Sequence, residues 1–258
     1  MRITAFGMTD KGRRRPNNED DLALVDLSTG RNIEECSVSD HPVGESGVLL
    51  AVCDGVGGRR AGEVASALAL SELASEMEAA ADGCPRRSLF GEAVERVNKV
   101  VWKKAHEDPR LDGMATTLTA AVVCRRRAIL AHVGDSRAYL MRAGAIRQVT
   151  RDQSFVQSLV AEGALTEEEA AHSPYRNVIL QAVGRKKTVE VALDACEIET
   201  GDTIALCTDG LSEKVERKDL ERALAGPDLE QAVRSLVALA NERGGEDNIT
   251  LLVARIGD

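Results

Sequence analysis

TLTAAVVCRRRAILAHVGDSRAYLMRAGAIRQV, running from Thr117 to Val149, is the stretch that decides the fold. It holds apolar, strand-length runs at Thr117 to Cys124, Ala128 to Val133, Ala138 to Met141 and Ile146 to Val149. Between them stand only short turns, among them Arg125-Arg126-Arg127 and Ala143-Gly144. Parallel neighbours need a crossover of roughly a dozen residues or more, and none fits here. The strands must therefore pair antiparallel, which argues against a doubly wound parallel sheet.

Working outward, helical spacing predicts a helix from Gly62 to Ala81, carrying Val64, Leu68, Leu70, Leu73 and Met77. A second is predicted from Ser88 to His106, with Phe90, Val94, Val97 and Val101 on one stripe. Further helices are expected at 217–225 and 228–243, and short ones at Phe155 to Glu162 and Thr166 to Ala171. Strands are expected at Ile3 to Gly7, Leu22 to Asp26, Val48 to Cys53, Val189 to Leu193, Thr203 to Cys207 and Ile249 to Ala254. Residues 28–46, rich in Ser, Gly and charge, read as an exposed loop. Helices arriving in pairs can cover the outer faces of sheets. The expected fold is α+β: a four-layer α/β/β/α sandwich of two antiparallel sheets flanked by paired antiparallel helices. No repeat or Pro/Ser-rich linker divides residues 1–258, so one domain is expected.

Four aspartates flank the apolar strands: Asp54 before Gly55-Val56-Gly57-Gly58, Asp135 in Gly134-Asp135-Ser136-Arg137, Asp209 before Gly210, and Asp247 before Asn248-Ile249-Thr250. In an antiparallel sheet one strand's end lies beside its neighbour's start, so all four can gather at one edge. Carboxylates beside buried strands are costly to desolvate without positive charge, and no matching lysines accompany them. Hard oxygen ligands of this kind suit Mg²⁺ or Mn²⁺. Gly55 allows its carbonyl to turn inward as a neutral oxygen ligand beside Asp54. The segment Asp10 to Asp20 mixes Arg13-Arg14-Arg15 with Glu19 and Asp20. It reads either as a solvated charged turn or as an arginine fork for a phosphate dianion, with Glu19 and Asp20 holding metal-associated water.

Bulk properties narrow the field. A net charge of −9 argues against nucleic acid or an anionic membrane as the main partner. No apolar run is long enough to span a bilayer, and Met1 to Gly7 has no signal-peptide core. The six cysteines are scattered, without a Cys-x-x-Cys pair, and read as reduced thiols. The expectation is a cytoplasmic monomer. His132 reads as a packed core histidine, and His41, His106 and His172 as incidental. Trp102 reads as core rather than interface. Arg125-Arg126-Arg127 reads as a solvated turn, with a docking patch as the sharper alternative.

The ordered set Gly12, Arg15, Asn18-Glu19-Asp20, Asp54-Gly55-x-Gly57-Gly58, Gly62-Glu63-x-Ala65-Ser66, Gly113-Met114-x-Thr116-Thr117, Gly134-Asp135-Ser136-Arg137, Thr208-Asp209-Gly210 and Asp247-Asn248-Ile249-Thr250 resembles the metal-dependent Ser/Thr protein phosphatases of the 2C type, most nearly the bacterial subgroup. The resemblance runs from about residue 4 to residue 254. It implies that Asp54 bridges two Mn²⁺ or Mg²⁺ ions, with the Gly55 carbonyl on one and Asp209 and Asp247 on the other. It also implies that Glu19 and Asp20 act through water, that Arg15 binds substrate phosphate, and that Asp135 with Asp209 forms a third, weaker metal site. Thr150 to Gly184 corresponds to the flap beside the site. The implied reaction is hydrolysis of phosphoserine and phosphothreonine in proteins, opposing a Ser/Thr kinase.

Three departures stand out. Val56 and Arg59 replace residues usual in the glycine turn, so no histidine after Asp54-Gly55 can act as general acid. Ala115 stands where Gly is common, and the 28–46 loop is long. Rival readings on the same fold are a non-catalytic phosphoprotein binder and a phosphatase for an anti-sigma-factor antagonist. Retention of Asp54, Asp209 and Asp247 disfavours the first; the lack of an attached sensor domain disfavours the second. A magnesium-dependent phosphotransferase of another class would need a nucleotide-phosphate loop, which is missing.

Overall fold

The computed structural model describes residues 1–33, 39–56, 61–80 and 82–258. The strands β1 (Arg2–Asp10), β2 (Asp20–Asp26), β3 (Arg31–Asn32), β4 (Ser39–Pro42) and β5 (Val48–Val56) come first. The long helices α1 (Ala61–Ala79) and α2 (Arg87–Glu107) follow. Next come β6 (Ala115–Thr116), β7 (Leu118–Cys124), β8 (Arg127–Val133), β9 (Arg137–Arg142) and β10 (Ala145–Gln148). Helices α3 (Phe155–Ala161) and α4 (Glu167–Ala171) precede β11 (Ala192–Glu197) and β12 (Thr203–Cys207). The chain closes with α5 (Asp209–Ser212), α6 (Arg217–Leu224), α7 (Leu229–Glu242) and β13 (Ile249–Gly257).

The strands form two antiparallel sheets. One runs β10-β9-β12-β13-β1-β4, the other β11-β8-β7-β5-β2-β3, with β6 paired to β5. The sequence explains why they stack. In β5 successive side chains alternate between faces, and both faces are apolar. Leu49, Ala51 and Cys53 meet α1 and α2, while Val48, Leu50 and Val52 meet the other sheet. Likewise in β13, Leu251 and Val253 face α7, and Leu252, Ala254 and Ile256 face the sheet-to-sheet core. An uninterrupted apolar run therefore marks a strand buried on both sides. Helices α1 and α2 cover one outer face and α6 and α7 the other, giving the four-layer α/β/β/α sandwich expected.

Three local expectations need correcting. The 28–46 stretch is not all exposed loop: β3 pairs with β2, and β4 adds an edge strand to β1, with Arg2 Nε 2.9 Å from Asp40 Oδ2. His41 is not incidental, because its Nε2 lies 3.1 Å from Asp26 Oδ2 and ties that edge to β2. The strand expected at Val189 to Leu193 lies later, at Ala192–Glu197, paired with β8. Val189 and Val191 are apolar because they contact the α1–α2 layer, so their hydrophobicity reports a helix contact and not a ladder.

Leu50 is fully buried between the sheets. Leu50→Ala is expected to cost about 2–5 kcal/mol in urea unfolding. Leu180→Ala, at an exposed position, should change stability by less than about 0.5 kcal/mol. Equal costs would contradict the stacking of the two sheets.

Candidate active site

Antiparallel register brings the acidic residues to one edge. Asp20, at the start of β2, lies directly opposite Asp54 near the end of β5. Cys207 at the end of β12 pairs with Leu251 of β13, which sets Asp209 beside Asp247 just before that strand. Asp135 follows β8 through Gly134, whose φ of +109° disfavours a side chain. A cavity of about 330 Å³ opens there, lined by Arg15, Glu19, Asp54, Gly55, Asp135, Asp209 and Asp247. Sequence reasoning brings these residues together, and the fold does so. Asp20 is placed differently: it is 7% exposed and sits behind the cavity wall.

Hydroxyl groups hold the Asp20 carboxylate and the Asp54 backbone in position. The Asp54 backbone N–H donates to Thr117 Oγ1 at 2.9 Å, and the Thr116 hydroxyl donates to the Asp54 carbonyl at 2.9 Å. Thr117 Oγ1 in turn lies 2.7 Å from Ser136 Oγ, next to Asp135. Asp20 Oδ2 accepts from Thr208 and Thr250, each at 2.7 Å. Asn248 clamps the N-terminal loop: its Oδ1 accepts from the Glu19 N–H at 2.9 Å, and its Nδ2 donates to the carbonyls of Lys11 and Asn17. Ser66 donates to the Glu19 carbonyl at 2.7 Å. Gly55 and Gly62 pass so closely that a Cβ on Gly62 would lie 2.8 Å from the Glu19 carboxyl. Here glycine is needed for close approach, not for turning.

The residues that position the site were mostly missed as such by sequence reasoning. Thr208, Thr250 and Asn248 each sit close in sequence to a singled-out aspartate, and that adjacency is the signal that could have flagged them. Arg137 grips Asp152 through two guanidinium nitrogens, Nη2 at 2.7 Å. Gln153 exchanges hydrogen bonds with Gly134: its side-chain oxygen accepts from the Gly134 N–H at 2.9 Å, and its own N–H donates to the Gly134 carbonyl at 2.7 Å. Both contacts fasten the root of the 150–184 segment to the turn bearing Asp135. That segment returns over the cavity and contributes Asn177, Val178 and Ile179 to its lining, with Arg185 just beyond it. Arg185, a second cation at the mouth, had no motif to announce it. Gly57, Gly58 and Arg59 lie outside the described residues.

Electrostatics point to missing positive charge. Burial first, then the charges of Asp209, Asp20 and Asp135, hold Asp54 well above the usual carboxylate range. Burial and then Asp209 and Asp152 push Asp135 up to about 8. Asp20 reaches about 7 through burial, against the opposing pull of the Thr250 and Thr208 hydroxyls. Asp209 reaches about 6 through burial and then Asp247 and Glu213. Arg15 Nη2 contacts Asp247 Oδ2 at 2.6 Å. Asp20 Oδ1 and Asp209 Oδ1 are buried without any hydrogen-bond partner. Each such orphan costs roughly 1–3 kcal/mol.

These observations fit hard divalent cations. Among the described residues no three His, Cys, Asp or Glu side chains close around one point. Mg²⁺-like ions instead keep several waters and use one or two carboxylates each. Spread carboxylates with orphaned oxygens, beside Gly55 in the cavity lining, match that donor set. His132, by contrast, is buried with its Nδ1 2.8 Å from Thr119 Oγ1, and burial lowers it to about 4, so it stays neutral.

Sandwich and site together define a scaffold that gathers acidic side chains, of a kind suited to divalent cations, at one end of paired sheets. Comparison with known proteins gives it a family: the description Protein phosphatase 2C matches residues 37–252, and the chain belongs to that family. The serine/threonine protein phosphatase PstP of Mycobacterium tuberculosis is 40% identical over 210 residues, covering 81% of this chain and 40% of that protein. The chain thus spans about two fifths of that relative's length. The serine/threonine phosphatase stp of Listeria monocytogenes is 34% identical over 249 residues, covering 95% of this chain and 92% of its own. The crystal structure of the PstP catalytic domain in complex with two manganese ions superposes with a TM-score of 0.82 at 35% identity, covering 100% of both chains.

The raised carboxyls make a pH prediction for the protein in chelator. Groups whose native pKa lies above the unfolded value bind protons more tightly when folded. Their stability contribution is complete below the unfolded value and is lost as pH rises through about 6, 7 and 8. In EDTA the Tm should therefore fall between about pH 5 and pH 8.5, and Asp209→Asn should flatten that fall and raise Tm by a few degrees at the alkaline end. A Tm that rises over this interval in wild type would contradict the mutual repulsion.

Proposed function

We propose that residues 1–258 form one metal-dependent protein phosphatase domain that hydrolyses phosphoserine and phosphothreonine in proteins. The observation that carries this reading is the cluster of self-repelling buried carboxylates facing Arg15 across one cavity. PstP and stp are named serine/threonine phosphatases, and the PstP domain holds two manganese ions. In this chain Asp54, Asp209, Asp247 and the Gly55 carbonyl would hold two Mn²⁺ or Mg²⁺ ions. Glu19 and Asp20 would act through intervening water, and Asp135 with Asp209 would complete a third position. When bound, such ions supply the Lewis acidity that lets water attack phosphorus at neutral pH.

The chain's own groups do the rest. Arg15 is half exposed, with one guanidinium nitrogen engaged by Asp247. Its remaining donors can take two phosphate oxygens side by side. The contact with Asp247 also pre-orients the fork, so little rotamer freedom is lost when phosphate arrives. Asp20, pinned by Thr208 and Thr250, fixes the spacing of β2 against β12 and β13 beneath Asp209 and Asp247. Val56, 41% exposed at the cavity mouth, offers no proton. The leaving serine or threonine oxygen would take its proton from water in the cavity. A phosphoprotein presents its ester at the rim, where Arg185 stands at the end of the 150–184 segment. The physiological substrates we assign are those of a Ser/Thr kinase.

With Mn²⁺ present, Asp54→Asn should abolish turnover of para-nitrophenyl phosphate. Arg15→Ala should raise KM about 10–100-fold, the loss of a charged hydrogen-bond donor to phosphate. Near-normal rates for Asp54→Asn would reject the assignment of this cavity as the reaction centre.

A further inference from the structure

A larger cavity, of about 860 Å³, lies at the far end of the sheet that carries Asp54. Its walls are the β7–β8 hairpin, the start of α2 and the end of β11. Strand β7 runs from beside Thr117 at the catalytic edge to Cys124 here, which places the two cavities roughly 20 Å apart. Five arginines line it, Arg86, Arg87, Arg125, Arg126 and Arg127, against Glu197 and Glu199. In a chain of net charge −9 such a concentration of one sign is out of character.

Not all five are free. Arg87 Nη2 donates to the Leu193 carbonyl at 2.6 Å, and Arg127 sits opposite Glu197 in the β8–β11 ladder. Among the described residues, Arg86, Arg125 and Arg126 make no ion pair. Arg125 is held at φ +54°, in the left-handed region that a residue with a side chain enters at a cost.

The start of α2 supplies an independent observation. This helix of 21 residues has Arg86 at its N-cap with no side-chain cap bond, and no acidic residue in its first turn. Helix N-termini carry partial positive charge and favour Asp, Ser or Thr at that position. Here the first turn begins with arginines and leaves its backbone N–H groups without a side-chain cap. A cation at the positive end of a helix is unfavourable unless an anion joins it. Guanidinium groups without ion pairs lining one cavity, beside a helix start without a side-chain cap, are a donor set suited to phosphate.

We propose that this cavity docks a second phosphoryl group on a phosphorylated peptide, remote from the catalytic centre. The inference rests on the phosphatase reading for its choice of ligand. Nucleic acid fits less well, because no aromatic side chain lines the cavity for base stacking. An extended peptide needs at least about six residues to cover the distance between the cavities, and more to follow the surface. Docking therefore favours phosphoresidues well separated in sequence.

The test uses a peptide with two phosphoserines about 12 residues apart and the same peptide with one of them left as serine. The doubly phosphorylated peptide should show a KM about tenfold lower at unchanged kcat. The double variant Arg86→Glu/Arg126→Glu should erase that difference while leaving kcat/KM for para-nitrophenyl phosphate within about twofold. Arg86→Gln/Arg126→Gln, with an unchanged Tm, guards against misfolding and should give the same result at smaller amplitude. Fluorescence anisotropy of a labelled singly phosphorylated peptide, in EDTA, reads docking without turnover. Binding there should weaken about tenfold in the variants. If para-nitrophenyl phosphate is not hydrolysed, the catalytic reading fails while anisotropy still decides the docking site. Equal KM for both peptides, or variant affinity equal to wild type, overturns the proposal. So does a single-stranded oligonucleotide that binds as tightly and is lost equally on substitution.

Discussion

Mutual repulsion among buried carboxylates is the constraint on which this structure turns. Asp54, Asp135, Asp20 and Asp209 are all driven above their ordinary pKa values, first by burial and then by neighbouring charge. Holding them together costs folding free energy, which the apolar layers must offset. Three separate hydrophobic clusters do so: one between the sheets and one under each helix layer. Stability of the scaffold and instability of the site are thus two sides of one design. The core can tolerate an acidic edge because that edge lies at strand ends, where side chains leave the apolar interior. A cation that binds the native edge, and not the unfolded chain, returns the cost as binding free energy.

Neutral hydroxyls are what make that edge rigid without cancelling its charge. Thr208 and Thr250 both donate to Asp20, and Thr116 and Thr117 both bond the backbone of Asp54. Had lysines taken these positions, the carboxylates would be satisfied internally and their affinity for cations reduced. A threonine hydroxyl orients a carboxylate through one oxygen and leaves the other free. The partnerless Oδ1 of Asp20 follows from that choice, and Asp209 keeps a partnerless Oδ1 beside it. Arg15 is the exception, and it binds Asp247 at the cavity rim, where it can also reach a ligand.

Legibility in the sequence followed burial. Strands buried on both faces, such as β5 and β13, announce themselves as apolar runs, and turn lengths give the antiparallel pairs β7–β8 and β9–β10. The equally short 134–136 turn instead carries the chain from one sheet to the other, because β8 and β9 lie in different sheets. The acidic residues were legible because strand ends in antiparallel order must share an edge. Edge elements were not. In β4 and β11 much of the strand faces solvent, so composition resembles loop, and their pairing is fixed by partners far away in sequence. The displacement of β11 shows the mechanism: Val189 and Val191 satisfy a helix layer, and periodicity alone cannot tell that contact from a sheet. For supporting polar residues such as Asn248 the position was legible in the motif beside Asp247 but the role was not, since its three hydrogen bonds reach a loop distant in sequence.

Val56 raises the question of how much this site loses by lacking a side-chain acid beside Asp54. A positioned general acid contributes typically about 10²–10⁴-fold, whereas enzymatic hydrolysis of phosphate monoesters can demand enhancements approaching ~10²¹. Most of that must come from charge arranged in advance around the equatorial oxygens, because the transition state of phosphoryl transfer is loose and needs little covalent help. The cavity's unusual electrostatics suit that arrangement, with acidic side chains at strand ends and an arginine held by Asp247 at the rim. In the proposed reaction, proton delivery to the serine or threonine oxygen would fall to water in the open cavity. Under that proposal, valine at position 56 would trim the rate without removing its main source, which is the carboxylate edge.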